Sequence, residues 1–280
     1  MDPLGWAAIF DEHVDNALFW VSDNAAFIFD GLRWLLEQFY DGILWLLELP
    51  PFYVLALIVG LIGWRLLGIV AGVVLALAMG LCAWMGLWAE TMQTLALVIA
   101  ATIIALAISL PLGVLAGLFP RVDRVLTPAL DLIQTMPPYI YLLPAIALLG
   151  FGPATALIAT VVVAMPPAIR LTALGIRMTP VEFIELGQAT GASRSQQFWK
   201  IRVPFAIPSI MAGINQSLMM AFGMVVIAGI VGSGGLGETI YGSIRTLDIA
   251  TSINASIAIV VLTMMLDRLT QRAAGKGADK

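Results

Sequence analysis

The sequence predicts an all-α integral membrane protein of about seven transmembrane helices, and two observations carry that prediction. Hydrophobic residues make up 60% of the 280 and charged residues 11%, against roughly 45–50% and about 25% in ordinary soluble domains. The charges are also segregated: after Glu48 they nearly vanish from long apolar runs, and they return in force only between residues 181 and 204. Mean hydropathy is +0.97.

The first fifty residues hold nine acids and a single base, Arg33. They lack the basic n-region and small-residue cleavage site of a signal peptide. From Ile28 to Leu47 the apolar positions Ile28, Leu32, Leu35, Leu36, Phe39, Ile43, Leu46 and Leu47 follow a 3.6-residue rhythm, and Asp30, Arg33, Glu37, Asp41 and Glu48 share another side. This is an amphipathic helix, expected either along the membrane surface or packed in an N-terminal subdomain. Residues 1–48 therefore form an acidic N-terminal segment, followed by a membrane domain over 49–270 and a short tail over 271–280.

Residues 49–64 and 66–89 are two apolar runs, closed by Arg65 and Glu90. Residues 91–120 carry no charge and can span even with Leu110-Pro111 as an interruption. Residues 132–169 are too long for one span. Pro137-Pro138 and Phe151-Gly152-Pro153 divide them into a short helix over 139–149 and another from Ala154, which should kink at Pro166-Pro167 and carry Arg170 and Arg177 into water. Residues 207–231 and 249–266 are the last two spans. Seven spans place twelve of the fourteen Lys and Arg on one side, leaving Arg33 and Arg245 on the other. An even number would split the set, so the positive-inside rule favours seven, with the N-terminus outside and the C-terminus inside.

The polar stretch 179–204 has the grammar of two short helices. Thr179 and Glu182 stand at capping-box spacing with Pro180 suited to the first helical position, and Ser193 and Gln196 repeat the spacing. The second helix should stop before Pro204. Between them Gly191 and Ala192 make a tight corner without bulk, so the stretch reads as a docking element.

Other motifs carry less chemistry. VGSGGLGE contains a GxGxxG pattern at Gly232, Gly234 and Gly237, but a span precedes it where a dinucleotide site needs a strand. Gly232, Ser233, Gly234 and Gly235 are instead candidates for a closely packed outer loop or outer gate. No P-loop pattern occurs. His13 is the only histidine and Cys82 the only cysteine, so a histidine metal site, a triad or an internal disulfide has no second member; no metal is expected. Gln134, Thr135, Asn215, Gln216 and Ser217 are polar groups inside apolar runs, and they either bond between helices or line a water-filled path. With Met136, Tyr139 and Met219, all but Ser217 form the candidate translocation path. Trp64, Trp84, Trp88 and Tyr139 read as interfacial anchors.

Three classes of function stand beside one another on these residues: a transport subunit without chemistry of its own, a self-sufficient secondary transporter or channel, and a membrane-tethered helix-turn-helix. Short tethers to the membrane on both sides oppose entry into a DNA groove, so no nucleic-acid partner is expected. A membrane enzyme finds no converging acids, histidine or cysteine.

The polar stretch resembles the EAA loop of permease subunits of binding-protein-dependent ABC importers. Glu185-Leu186-Gly187, Gly191, and Ile201-Arg202-Val203-Pro204 fall at the family spacing, with Leu186 and Gly187 in place of two alanines and Val203 in place of leucine. LDLIQTMPPYIYLLPAIALLGFG, PPAIRLTALGIR, PSIMAGINQSLMMAFGMVVIAG, VGSGGLGE and LDRLTQ are similar to the glycine betaine, proline betaine and choline branch, over roughly residues 49–271. The resemblance implies a homodimeric permease of the bacterial inner membrane that binds no cofactor itself. Two ATPase subunits would supply ATP and Mg, and an external binding protein would capture a quaternary ammonium osmolyte. It also implies ATPase coupling through Glu182, Glu185, Leu186, Gly187, Gly191, Ala192, Ser193, Ile201 and Pro204.

Overall fold

The computed structural model describes residues 24–278 without a break, with Ile9, Glu12, His13, Asn16, Trp20 and Val21 before them; for residues 273–278 it describes the backbone alone. Most of the acidic stretch 1–23 and the side chain of Lys276 lie outside the described residues, as does Lys280. Every regular element among the described residues is helical. In chain order they are α1 (Ala26–Glu48), α2 (Phe52–Leu67), α3 (Ile69–Trp84), α4 (Trp88–Leu118), α5 (Pro120–Thr135), a 3-10 turn (Pro138–Tyr141), α6 (Leu142–Leu149), α7 (Pro153–Arg177), α8 (Val181–Ala189), α9 (Arg194–Gln197), a π turn (Phe198–Arg202), α10 (Val203–Ala228), a 3-10 turn (Gly229–Val231), α11 (Gly235–Thr246) and α12 (Ile249–Ala278).

The centre is α7, packed along α4 on one side and α10 on the other. Small residues set these approaches, as bundles in lipid require. A Cβ at Gly113 of α4 would stand 2.6 Å from Thr172 Cβ, and one at Gly213 of α10 would stand 3.2 Å from Ala168. Two serines add hydrogen bonds where α7 carries its double proline. Ser109 Oγ donates to the Met165 carbonyl at 3.2 Å and Ser217 Oγ to that of Ala164 at 2.8 Å. Ser217 is thus an interhelical partner.

Four of the expected spans are helices long and apolar enough to cross a membrane: α4, α7, the continuous α9–α10 helix and α12. The others depart from expectation. Pro111 does not interrupt α4, and α7 runs unbroken through Pro166 and Pro167. The fourth span is a bent pair, because residues 120–135 form an amphipathic helix set at 107° to the following 3-10 turn and α6. The eight residues of α6 reach only about 12 Å at 1.5 Å per residue. Helices α2 and α3 hold 16 residues each and form a hairpin whose Gly60, Gly63 and Gly72 meet face to face. Helix α12 continues past residue 270 to Ala278, so the stretch from 271 begins as helix.

Helix α1 turns by 91° into α2 and packs across α4, α6 and α7. It divides into three stripes: Leu32, Leu36 and Tyr40 against the bundle; Asp30, Arg33, Glu37, Asp41 and Glu48 along one flank; and Ile28, Leu35, Phe39 and Leu46 exposed on the other. Helix α1 therefore packs on the bundle with one face and leaves an apolar stripe exposed.

The ends of the bundle are chemically distinct. At one, Arg272 Nε donates to the Leu66 carbonyl at 3.4 Å, Arg170 pairs with Asp131 and Arg177 with Asp123 at 2.5 Å each, and Arg202 reaches the Ile176 carbonyl at 3.3 Å. At the other, Gly152 N–H bonds the Val231 carbonyl at 2.9 Å, and Arg33, paired with Glu37 at 2.8 Å, lies beside Gly150.

Candidate functional site

The polar stretch folds as an elbow at the basic end. Its first helix is not capped as the spacing suggested. Pro180 stands at the N-cap, and Thr179 Oγ1 donates back to the Ile176 carbonyl at 3.1 Å, leaving Glu182 without the expected reciprocal bond. The reason is burial: α7 extends to Arg177, Thr179 is enclosed, and its hydroxyl satisfies the carbonyl in reach. Glu182 remains an acid in the first turn of α8, where the helix dipole favours it.

The corner itself is a Schellman ending. Ala192 N–H bonds the Gly187 carbonyl at 2.8 Å and Gly191 N–H that of Gln188 at 3.0 Å, with Gly191 at φ +74°. A Cβ at Gly191 would meet nothing within 4 Å, whereas one at Gly187 would stand 2.8 Å from Ile201 Cδ1. Gly191 is therefore set by backbone conformation, and Gly187 by the closeness of the two arms. Beyond the corner the second capping box forms in full: Gln196 N–H donates to Ser193 Oγ at 3.2 Å, and Ser193 N–H to Gln196 Oε1 at 2.9 Å. Gln197 Nε2 closes the elbow on the Ala192 carbonyl at 3.0 Å.

Pro204 does not end this arm. In a regular α-helix its ring would crowd the Lys200 carbonyl. The chain instead opens into the π turn, where Val203 N–H bonds the Phe198 carbonyl five residues back. The helix then continues into α10, so Arg194–Val231 is one helix of 38 residues. Phe183 of α8 packs on Phe205 of α10, ring centroids 4.9 Å apart.

Among the described residues nothing covers the outer surface of the elbow. Leu186 is 60% exposed and Trp199 65%. Glu185 is exposed and, among the described residues, makes no hydrogen bond or ion pair. Phe183, Leu186, Gly187, Gly191, Ala192 and Lys200 border an open cleft of about 600 Å³.

The residues expected to line a path divide. Gln134, Thr135 and Tyr139 are exposed at the α5–α6 bend with Met136 half-buried; Gln216 is exposed on α10 and Met219 half-buried. The 3-10 turn carrying Tyr139 abuts α10. Asn215 instead bonds between helices: its Nδ2 donates to Asp267 Oδ1 at 3.0 Å, and Thr270 Oγ1 donates to its Oδ1 at 2.7 Å. Gln271 Nε2 adds a second bond to Asp267 Oδ1 at 2.7 Å. Asp267 was missed as a site residue, although Asp267, Thr270 and Gln271 stand at the i, i+3, i+4 spacing of one helix face.

The glycine loop is built into the opposite end. Gly235 N–H donates to Gln93 Oε1 at 2.6 Å, Leu236 N–H to Thr94 Oγ1 at 2.8 Å and Gly234 N–H to Glu238 Oε2 at 2.8 Å. Ser233 is buried and its Oγ donates to the Ala228 carbonyl at 3.1 Å, while Gly232 adopts the left-handed conformation at φ +71°. Gln93 and Thr94 carry no sequence signal for this role, because their partners are 142 residues distant. Among the described residues no three His, Cys, Asp or Glu side chains converge on a metal position.

Comparison with known proteins agrees with this geometry. Residues 109–274 match the family model of the binding-protein-dependent transport system inner membrane component. The chain is 37% identical over 272 residues to the glycine betaine/proline betaine transport system permease protein ProW of Escherichia coli, covering 97% of this chain and 77% of that one. To the glycine betaine transport system permease protein OpuAB of Bacillus subtilis it is 39% identical, covering 95% of this chain and 93% of that one. In structure it resembles the inward-facing MetNI methionine ABC transporter, with a TM-score of 0.60 over 66% of this chain and 93% of that one at 22% identity, a likeness of fold. The chain belongs to the family of inner membrane components of binding-protein-dependent transport systems, and it is a transport permease subunit.

Proposed function

We propose that this permease serves an ATP-driven importer of a quaternary ammonium osmolyte, with glycine betaine, proline betaine and choline as the candidate substrates. The observation that carries the reading is the near full-length similarity to permeases named for glycine betaine. ATP and Mg are held by separate ATPase subunits, and the uncovered elbow is where they dock. A short helix with an apolar outer face enters a groove on such a partner. Glu185, unpaired among the described residues, supplies a charge for a base on the ATPase.

A second copy completes the path. Gln134, Tyr139 and Gln216 are exposed polar side chains in apolar surroundings, which suits a water-lined passage between two copies better than contact with lipid. The Gly232–Gly235 loop, fastened to α4, forms a fixed outer seal that opens by movement of whole spans. An external binding protein delivers substrate at that end. The twelve bases of the elbow side face the cytoplasm of a bacterial cell, with the N-terminus outside and the C-terminus inside.

Two experiments test this. Competition of labelled glycine betaine uptake by proline betaine, choline and an uncharged amino acid, in vesicles holding the whole complex, should show inhibition by the quaternary compounds alone. A reporter active only in the cytoplasm should be active when fused after Gly191 and inactive after Gly237. The reverse pattern would overturn the orientation.

A further inference from the structure

Helix α5 is held beside α7 by charge more than by packing. Of its 16 residues only Leu130 is buried, and a half-open space of about 310 Å³ lies between the two helices, walled by Leu126 and Leu130 of α5 and by Ile169 and Ala173 of α7. The two ion pairs bridge that space, Asp123 with Arg177 and Asp131 with Arg170. Along α5 the two acids stand about 12 Å apart, and along α7 the two bases about 10.5 Å, at 1.5 Å per residue. The pairs are matched rungs between antiparallel neighbours.

Both ends of α5 are tied in a way that makes those rungs matter. A single residue, Phe119, links it to α4 and can serve as a hinge. At the other end the Tyr141 hydroxyl donates to the Ile133 carbonyl at 2.8 Å across the 107° bend, which joins the end of α5 to the 3-10 turn. Helix α7 ends at Arg177, and Thr179 and Pro180 lead from it into the elbow. We propose that the two ion pairs are struts that hold the α5–α6 bend in fixed relation to α7 and the elbow, so that the bend moves as the elbow moves. On the reading of the elbow as an ATPase dock, on which this rests, Asp123, Asp131, Arg170 and Arg177 are positioning residues that carry motion from the dock to Met136 and Tyr139.

The geometry favours struts over two unrelated surface contacts. A partly exposed ion pair adds little stability, and a lone pair would leave α5 free to pivot about it. Two pairs on either side of the open space remove that freedom. Helices whose side chains interdigitate keep their relation when a charge is lost. Across an open space, with Leu130 as the one buried side chain of α5, the relation depends on the charges.

Charge exchange tests the proposal. Spin labels are placed on cysteines at the exposed Ala129 of α5 and Gln188 of α8 in a Cys82→Ser background, diluted with unlabelled chain so that distances within one copy are read. The distance distribution should be narrow in the parent chain, broad in Asp131→Arg and in Arg177→Asp, and narrow again when Arg170→Asp is added to the first and Asp123→Arg to the second. Should the single reversals fold poorly, Asp123→Asn with Asp131→Asn removes the pairing without a like-charge clash and should broaden the distribution equally. In vesicles holding the whole complex, the broadened variants should take up at least fivefold less glycine betaine per ATP hydrolysed, and the exchanged pairs should recover it. A narrow distribution in every unpaired variant, an unchanged uptake per ATP in a broadened one, or an exchanged pair that stays broad overturns the proposal. A parent complex that carries no glycine betaine would overturn the proposed substrate instead, and the distances, read on the chain without substrate, would still decide whether the pairs hold the bend.

Discussion

At the corner of the elbow two glycines differ in their reasons, and the difference is measurable. Gly191 adopts φ +74° with open space around it. Gly191→Ala should therefore cost about 1 kcal/mol through left-handed strain alone, seen as a small drop in melting temperature with the elbow intact. A Cβ at Gly187 would stand 2.8 Å from Ile201 Cδ1 and 3.4 Å from Gln197 Cγ, so a larger side chain there must displace both. Gly187→Leu should push α8 away from the π turn at a cost of about 1–3 kcal/mol, and uptake should fall with it. Glu185 is the third case. It is exposed and unpaired, so Glu185→Lys should change stability by less than about 0.5 kcal/mol while abolishing uptake by the complex. Asp248, in the turn before α12, accepts the Thr251 N–H at 3.1 Å and the Thr251 hydroxyl at 2.8 Å. These bonds hold its carboxyl below the ordinary value of 3.8. Its contribution is present above that value and is lost as pH falls through the lowered one, so Asp248→Ala should remove the corresponding acid-side loss from a stability profile.

Among the elements, the π turn carries the most consequence. It converts a proline that reads in sequence as a stop into part of a continuous 38-residue helix, so movement of α9 is passed to α10 without a loop between them. Pro204→Ala removes the ring that crowds the Lys200 carbonyl and allows a regular helix. The expected outcome is a protein of equal or greater stability in which α9 is rotated relative to α10, measurable as ATP hydrolysis that no longer drives uptake. Asp267 fastens α12 to α10 near the same end, and Asp267→Ala should cost about 1 kcal/mol after allowance for its partial exposure, read as a lowered unfolding temperature. The Ser193–Gln196 capping box was legible because both partners sit three residues apart. Thr179 and Pro204 depart from their local spacing for different reasons: Thr179 bonds back to the end of α7, and the chain widens into a π turn ahead of Pro204. The α5–α6 bend was half legible, since Pro137-Pro138 marks the break but nothing local says that residues 120–135 turn aside as an amphipathic helix.

For the molecule as a whole, charge segregation made the class legible and composition made the spans legible. The closing of the far end was not, because Gln93 and Thr94 meet the glycine loop only once α4, α10 and α11 are packed together. The assembled picture is a lever. Helices α7 and α10 are held along their length by Ser217, Gly213 and Gly175, and they end in an elbow whose outer face the described residues leave uncovered. On the proposed reading a partner ATPase moves this body through that face. The most direct test is uptake of labelled glycine betaine into vesicles that contain ATP and the external binding protein's counterpart outside, comparing the chain alone, the chain with its ATPase, and that complex carrying Glu185→Lys. The lever account predicts uptake only in the second. Uptake by the chain alone, or undiminished uptake with Glu185→Lys, would contradict it.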